Sequence, residues 1–204
     1  MSTLVKICGV TRSEDAEAAV SSGADIIGMN FYAPSPRCVA LGRALEMRAV
    51  IGSRARVAGV FVNSPRQFVA AHVSALGLDL SQFHGDEDDD ALAGWNIPVI
   101  RALRLKPADE PRHQIARSRA DFVLLDTFHD LLYGGTGQAR TLAGLDGIDL
   151  SRVVLSGGLN CENVLEAAAL GPYAVDVASG VESAPGIKDH SRLRSFIRNA
   201  KSAR

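Results

Sequence analysis

Neither sign of charge dominates this sequence of 204 residues: 22 lysines and arginines stand against 23 aspartates and glutamates, a formal net charge of -1. That balance removes the bulk electrostatic argument for a nucleic-acid partner, whose phosphates select a basic face. A local anion pocket stays open, because net charge does not report on one cleft. No apolar run approaches the roughly 20 residues that span a bilayer, so no membrane partner is expected. The opening Met1-Ser2-Thr3-Leu4-Val5-Lys6 lacks the charged-then-apolar order of a secretion signal, and a cytoplasmic protein is expected. Cysteine is sparse. Cys8, Cys38 and Cys161 are odd in number, widely spaced and form no Cys-x-x-Cys pair, which suits a reducing compartment better than a disulfide framework. His72, His84, His113, His129 and His190 stand in no metal-ligand spacing, so no metal is expected. Low-complexity tracts and shifts of composition are missing too. With 47% hydrophobic and 22% charged residues the chain reads as globular, not disordered. Its length suits a single domain over residues 1–204.

What the sequence does have is alternation. Short β-branched runs alternate with Ala-rich stretches, the pattern of repeated βα units. Strands are predicted at 4–8, 25–31, 57–62, 78–83, 99–103, 121–126, 152–156 and 174–177. Thr11 and Glu14 have capping-box spacing for a first helix that stops at Gly23. A second helix is expected at 42–51, a third opening at Ser64-Pro65, and a last one from about Lys188 to Lys201. The second strand is apolar on both faces, as in a buried parallel sheet. Eight units of about 25 residues suit a compact (β/α)8 TIM barrel, with an open doubly wound sheet as the alternative. Residues 104–112 and 127–150 show no pattern, and the second stretch is a long Gly-rich loop of the kind that is usually functional.

Active sites of such barrels lie at the carboxyl ends of the strands. Those ends read Cys8, Asn30-Phe31, Asn63, Gln82 and His84, Arg101, Asp126, Ser156-Gly157-Gly158 and Ser179-Gly180. Two glycine turns after the seventh and eighth strands can bring backbone N–H groups close to a phosphate, although glycine also serves tight turns with positive φ. Asn160 is a plausible N-cap after the first of them. Cys8 is either a small buried hydrophobe or a thiol with a chemical task. Asp126 ends a strongly apolar strand without an immediate helix to cap. A thiol and a carboxylate facing one another across a barrel mouth would make a general base and a general acid. Arg37, beside Pro36, suits bidentate carboxylate binding or plain solvation. The acidic run Asp86-Glu87-Asp88-Asp89-Asp90 reads as the solvated start of a helix rather than a cation site. His84 beside Gly85 is a proton donor or an ordinary loop residue, and Cys38 and Cys161 have no special setting.

The motifs Lys6-Ile7-Cys8-Gly9, Ser35-Pro36-Arg37, Gly59-Val60-Phe61-Val62-Asn63 and Gln82-Phe83-His84-Gly85 come in a co-linear series. The series continues with Leu125-Asp126, Gly134-Gly135-Thr136-Gly137, Ser156-Gly157-Gly158-Leu159-Asn160, Asp176-Val177-Ala178-Ser179-Gly180-Val181-Glu182 and Pro185-Gly186-Ile187-Lys188. In this order they resemble the phosphoribosylanthranilate isomerases of tryptophan biosynthesis, over essentially the whole chain. Cys161 stands where that family usually has proline, and Ala178 where it often has serine. The resemblance implies an Amadori rearrangement with Cys8 as general base and Asp126 as general acid. It implies substrate contacts from Arg37, Gln82, His84, Gly135, Gly157, Gly158, Ser179 and Gly180, with Arg37 on the anthranilate carboxylate. A small sugar phosphate is the expected partner, no cofactor is needed, and a monomer or homodimer is expected. Useful thiolate at neutral pH would require the Cys8 pKa to be lowered locally. The alternatives are a histidine-pathway or dual-substrate isomerase, which typically has aspartate in place of Cys8, and a noncatalytic phosphosugar-binding barrel.

Overall fold

The computed structural model of the chain describes residues 3–104, 110–126 and 145–203. Eight parallel strands follow one another around a closed ring: β1 (Leu4–Ile7), β2 (Ile26–Asn30), β3 (Arg56–Phe61), β4 (Leu80–Phe83), β5 (Val99–Arg104), β6 (Phe122–Asp126), β7 (Val153–Ser156) and β8 (Ala174–Val177). The ring is shut by β1 against β8, with Leu4 opposite Ala174 and Ile7 opposite Val177. Helices α1 (Ser13–Ser21), α2 (Leu41–Ile51), α3 (Arg66–Leu76), α4 (Asp89–Leu92), α5 (Pro111–Arg117), α6 (Val164–Ala169) and α7 (His190–Ser202) follow strands in the order of a (β/α)8 barrel. The closed barrel, not the open sheet, is the architecture. Among the described residues, no helix is long and apolar enough to cross a membrane.

Strand side chains alternate with a period of two, and here both faces are apolar. Val5, Ile27, Val57, Val123, Leu125, Val153 and Val175 belong to the larger core. Their neighbours Ile26, Ala58, Leu80, Ile100, Leu124, Val154 and Ala174 form a second cluster. Register sets these side by side around the ring, Ala58 against Leu80 and Leu124 against Val154. One step of two residues further along the chain, the same inward positions turn polar: Lys6 after Leu4, Gln82 after Leu80, Asp126 after Leu124, Ser156 after Val154, Asp176 after Ala174. The barrel is thus plugged with hydrocarbon low down and lined with polar groups at its carboxyl rim.

Several local expectations give way to tertiary partners. The capping box does not form: α1 starts at Ser13 behind Arg12, and the Thr11 hydroxyl donates instead to the Gly186 carbonyl at 2.6 Å. Pro65 occupies the cap position of α3 rather than its first turn. The last helix starts at His190, because the Asp189 carboxylate accepts from the backbone N–H of Ser191 and Arg192 and caps it there. Lys188 belongs instead to a small antiparallel hairpin, β9 (Glu182–Ala184) and β10 (Ile187–Lys188), which local sequence did not announce. The acidic run behaves as a helix start: Asp88 accepts from Ala91 N–H at 2.9 Å and caps α4.

Candidate active site

A cavity of about 270 Å³ opens at the carboxyl ends of the strands. Cys8, Arg37, Gln82, His84, Asp126, Gly157, Gly158 and Ser179 all line it, together with Asn30, Ser35, Ser156 and Asp176. The inward parity explains the selection. Cys8 follows Lys6 on the inner face of β1, and Asp126 closes the inner face of β6. Phe31 and Arg101 have the opposite parity and leave the site: Phe31 stacks on Phe61 at 5.4 Å, and Arg101 pairs with Asp89 at 2.7 Å. Asn63 is drawn off to Asp86 and Glu87. Gly135 and most of the stretch from 127 to 150 lie outside the described residues.

The two glycine turns meet. Gly157 and Gly158 take φ of 86° and 64°, so this turn requires glycine for its backbone alone. Gly180 is needed for a different reason, since a Cβ there would lie 2.0 Å from the Leu159 carbonyl oxygen of the first turn. Neither turn runs straight into a long helix, contrary to expectation. A three-residue 3-10 turn, Ser179–Val181, follows β8, and α6 begins only at Val164. The Asn160 carboxamide serves the intervening turn by accepting from Glu162 and Asn163 N–H, so it is not the N-cap of α6 itself. The anion-binding potential of this end therefore resides in turn amides, not in a helix dipole.

Opposite these turns, Gln82 donates from Nε2 to His84 Nδ1 at 3.0 Å, and His84 Nε2 lies 3.8 Å from Asp126 Oδ2. Gln82 is 1% exposed, yet its Oε1 has no hydrogen-bond partner among the described residues. A buried acceptor left open in a cavity wall is suited to an O–H or N–H of a ligand.

Beneath Cys8 lies a charged layer that sequence reasoning missed. The fully buried Lys6 donates to Asp176 at 2.6 Å, and Asp176 accepts in turn from the Ser156 hydroxyl at 2.8 Å. Burial opposes the Lys6 ammonium, but Asp176 and Cys8 raise its pKa above the ordinary value. Burial pushes the Cys8 thiol up, and the nearby Lys6 and Lys188 cations pull it back only in part. The expected lowering does not occur, because desolvation of the thiolate outweighs both cations. On the other side, Lys188 Nζ donates to the Cys8 carbonyl at 2.6 Å, the Ala178 carbonyl at 3.0 Å and Glu182 at 2.9 Å. Glu182 also takes both Nε and Nη2 of Arg37, at 2.9 and 2.6 Å. Lys6 and Asp176 had a readable signal, each being a charge within an apolar strand on the parity of the rim. Glu182 and Lys188 stand in the motif series of the resemblance, but nothing local announces their pairing, for the hairpin that carries them follows from long-range contacts.

The family model described as N-(5'phosphoribosyl)anthranilate (PRA) isomerase matches residues 5–199. The chain belongs to the phosphoribosylanthranilate isomerase family. It is 45% identical over 194 residues to the N-(5'-phosphoribosyl)anthranilate isomerase of Pseudomonas fluorescens (strain Pf0-1), covering 94% of this chain and 95% of that protein. Among solved structures, a phosphoribosylanthranilate isomerase in complex with reduced 1-(o-carboxyphenylamino)-1-deoxyribulose 5-phosphate is similar, with a TM-score of 0.83, 35% identity and 98% of each chain covered. A structure of monomers of the dimeric isomerase of Thermotoga maritima has a TM-score of 0.82 at 35% identity, covering 98% of this chain and 99% of that one.

Proposed function

We infer that this member of the phosphoribosylanthranilate isomerase family catalyses the Amadori rearrangement of N-(5-phosphoribosyl)anthranilate to 1-(2-carboxyphenylamino)-1-deoxyribulose 5-phosphate in tryptophan biosynthesis. The observation that carries the chemistry is one cavity lined by both Cys8 and Asp126, from strands on different sides of the barrel. Asp126 protonates the furanose ring oxygen, the C1–O bond breaks, and the nitrogen lone pair closes a Schiff base. Cys8 then removes the C2 proton. The C–H electron pair becomes the C1–C2 double bond, and the iminium π pair returns to nitrogen, giving an enolamine. Loss of the 2-hydroxyl proton and protonation at C1 yield the ketone. C1 is reduced as C2 is oxidised, so the substrate supplies both electrons and no cofactor is needed. The iminium acidifies C2–H, which fits a base whose own pKa burial has raised.

The remaining wall supplies the binding groups of this reading. Backbone N–H groups around Gly157, Gly158, Ser179 and Gly180 hold the phosphate. The open Gln82 Oε1 accepts a sugar hydroxyl, and His84 lies between Gln82 and Asp126. Arg37 faces the anthranilate carboxylate with the Nη1 edge that Glu182 leaves. The three cysteines are free thiols, which supports a reducing compartment such as the cytoplasm. A monomer or a homodimer is the proposed assembly, the second because the Thermotoga maritima relative is dimeric.

Purified protein should convert the substrate and restore growth to a tryptophan auxotroph lacking this step; failure of both would remove the activity. Cys8→Ser and Asp126→Asn should each lower kcat by roughly 10²–10⁴, the contribution of one positioned proton-transfer group. Wild-type turnover in either variant would take that residue out of the mechanism.

A further inference from the structure

Arg37 is not a free surface arginine, and it is not free to move. Two of its donor nitrogens are held by Glu182 at 2.9 and 2.6 Å, a fork-to-fork pair that fixes the guanidinium plane. Its aliphatic stem lies on the backbone beside Cys8: a Cβ on Gly9 would come within 2.5 Å of Arg37 Cδ. Glu182 is in turn held by Lys188, whose side chain is fully buried and whose other two bonds go to the carbonyls of Cys8 and Ala178. The Cys8 N–H is tied to the Val177 carbonyl at 2.8 Å. Cys8 is therefore pinned at both backbone ends, and the pin on its carbonyl side is the group that also anchors the partner of Arg37.

Charge gives this arrangement a direction. One carboxylate is shared by two cations, so the trio of Arg37, Glu182 and Lys188 carries a net positive charge. Burial lowers the Lys188 pKa and Glu182 works against that, which makes the pair interdependent. A buried pair of this kind is weak evidence for stability, because desolvation offsets most of its attraction.

We propose that Glu182 and Lys188 form a positioning pair that fixes Arg37 at a set distance from Cys8, so that the enzyme selects N-phosphoribosyl amines bearing a carboxylate ortho to the nitrogen. The proposal rests on the reading of Arg37 as the carboxylate site. Glu182 touches no substrate and acts through Arg37. Its worth appears only when the substrate has a carboxylate to be placed.

The test compares two substrates, N-(5-phosphoribosyl)anthranilate and N-(5-phosphoribosyl)aniline, which lacks the carboxylate. The readout is the ratio of their kcat/KM values in the full-length enzyme, a quantity that a general loss of folding or of active fraction leaves untouched. Glu182→Gln keeps one acceptor for Lys188 and loses the fork; the ratio should fall by about 10-fold or more, the scale of one lost hydrogen bond to a charged group. Glu182→Asp, too short to hold both nitrogens in place, should lower the ratio as well and serves if the Gln variant does not fold. Arg37→Ala should lower the ratio further, and Arg37→Ala/Glu182→Gln should be no worse than Arg37→Ala alone. A Glu182→Gln enzyme that loses kcat/KM equally on both substrates would overturn the positioning role and leave Glu182 as a structural residue. An unchanged ratio in Arg37→Ala would fail one step earlier, removing the carboxylate site and the proposal with it.

Discussion

Replacing Lys6 with Met separates what the charged layer under Cys8 does for stability from what it does for chemistry. The two side chains have similar volume, so packing is nearly preserved, but Asp176 is left 5% exposed without its 2.6 Å partner. Breaking a buried pair from one side costs about 3–5 kcal/mol, because the remaining charge is uncompensated. For a chain of this size that is a drop in Tm of roughly 10 °C. Lys6→Met/Asp176→Asn removes the orphaned charge while keeping an acceptor for Ser156, and should recover more than half of the loss. Activity should not recover in parallel. Lys6 is a stronger influence on the Cys8 thiol than Asp176, so losing both still moves the thiol up, and alkylation of Cys8 by iodoacetamide needs a higher pH. Differential scanning calorimetry at pH 7.5, with the pH dependence of Cys8 alkylation in both variants, reads these effects. A single variant as stable as wild type, or a double variant with unshifted alkylation, would refute the reasoning.

In the wild-type enzyme the thiol pKa is raised by burial, so the rate of Cys8 alkylation by iodoacetamide should keep rising with pH through the alkaline range, and a plateau reached by pH 7 would argue against the raised thiol. Gly158→Asn tests the phosphate turn, since Asn tolerates positive φ at a cost of about 1 kcal/mol but adds a side chain at the cavity wall. It should raise KM strongly with little change in Tm; an unchanged KM would reduce Gly158 to a turn former. Asp15 is fully buried and accepts from Arg12, His190 and the Lys188 N–H; burial alone would raise its pKa, but these partners hold it below the usual carboxylate range. Its contribution is present above the unfolded pKa near 3.9 and is lost as pH falls through the lower folded value. Asp15→Asn should therefore destabilise the protein at pH 7, with a gap to wild type that narrows on acidification in urea-unfolding series.

Much of the molecule was legible in one dimension because its determinants are local and periodic. A parallel strand buried on both faces leaves a short apolar run, and eight such runs at even spacing placed β1 to β8 within two residues of their observed limits. Positions at the ends of those runs are the rim of a barrel by topology alone, which is why the order of the strands already places Cys8, Gln82, His84 and Asp126 at the mouth of one cavity. Parity decided which rim residues line the cavity, since strand direction and twist turn one side chain in and the next one out. Phe31 and Arg101 were ends of strands and nothing more. The hairpin that carries Glu182 and Lys188, the Thr11 bond to Gly186 and the contact of Gly180 with Leu159 join segments far apart in the chain. The Cys8 thiol was raised, not lowered, for the same kind of reason. Net burial and the position of two distant ammonium groups depend on how the ring closes. Sequence determined the strands, the barrel and the chemical groups at its mouth; only the tertiary structure decided how those groups are charged, pinned and paired, because electrostatics in a low-dielectric interior is set by neighbours in space.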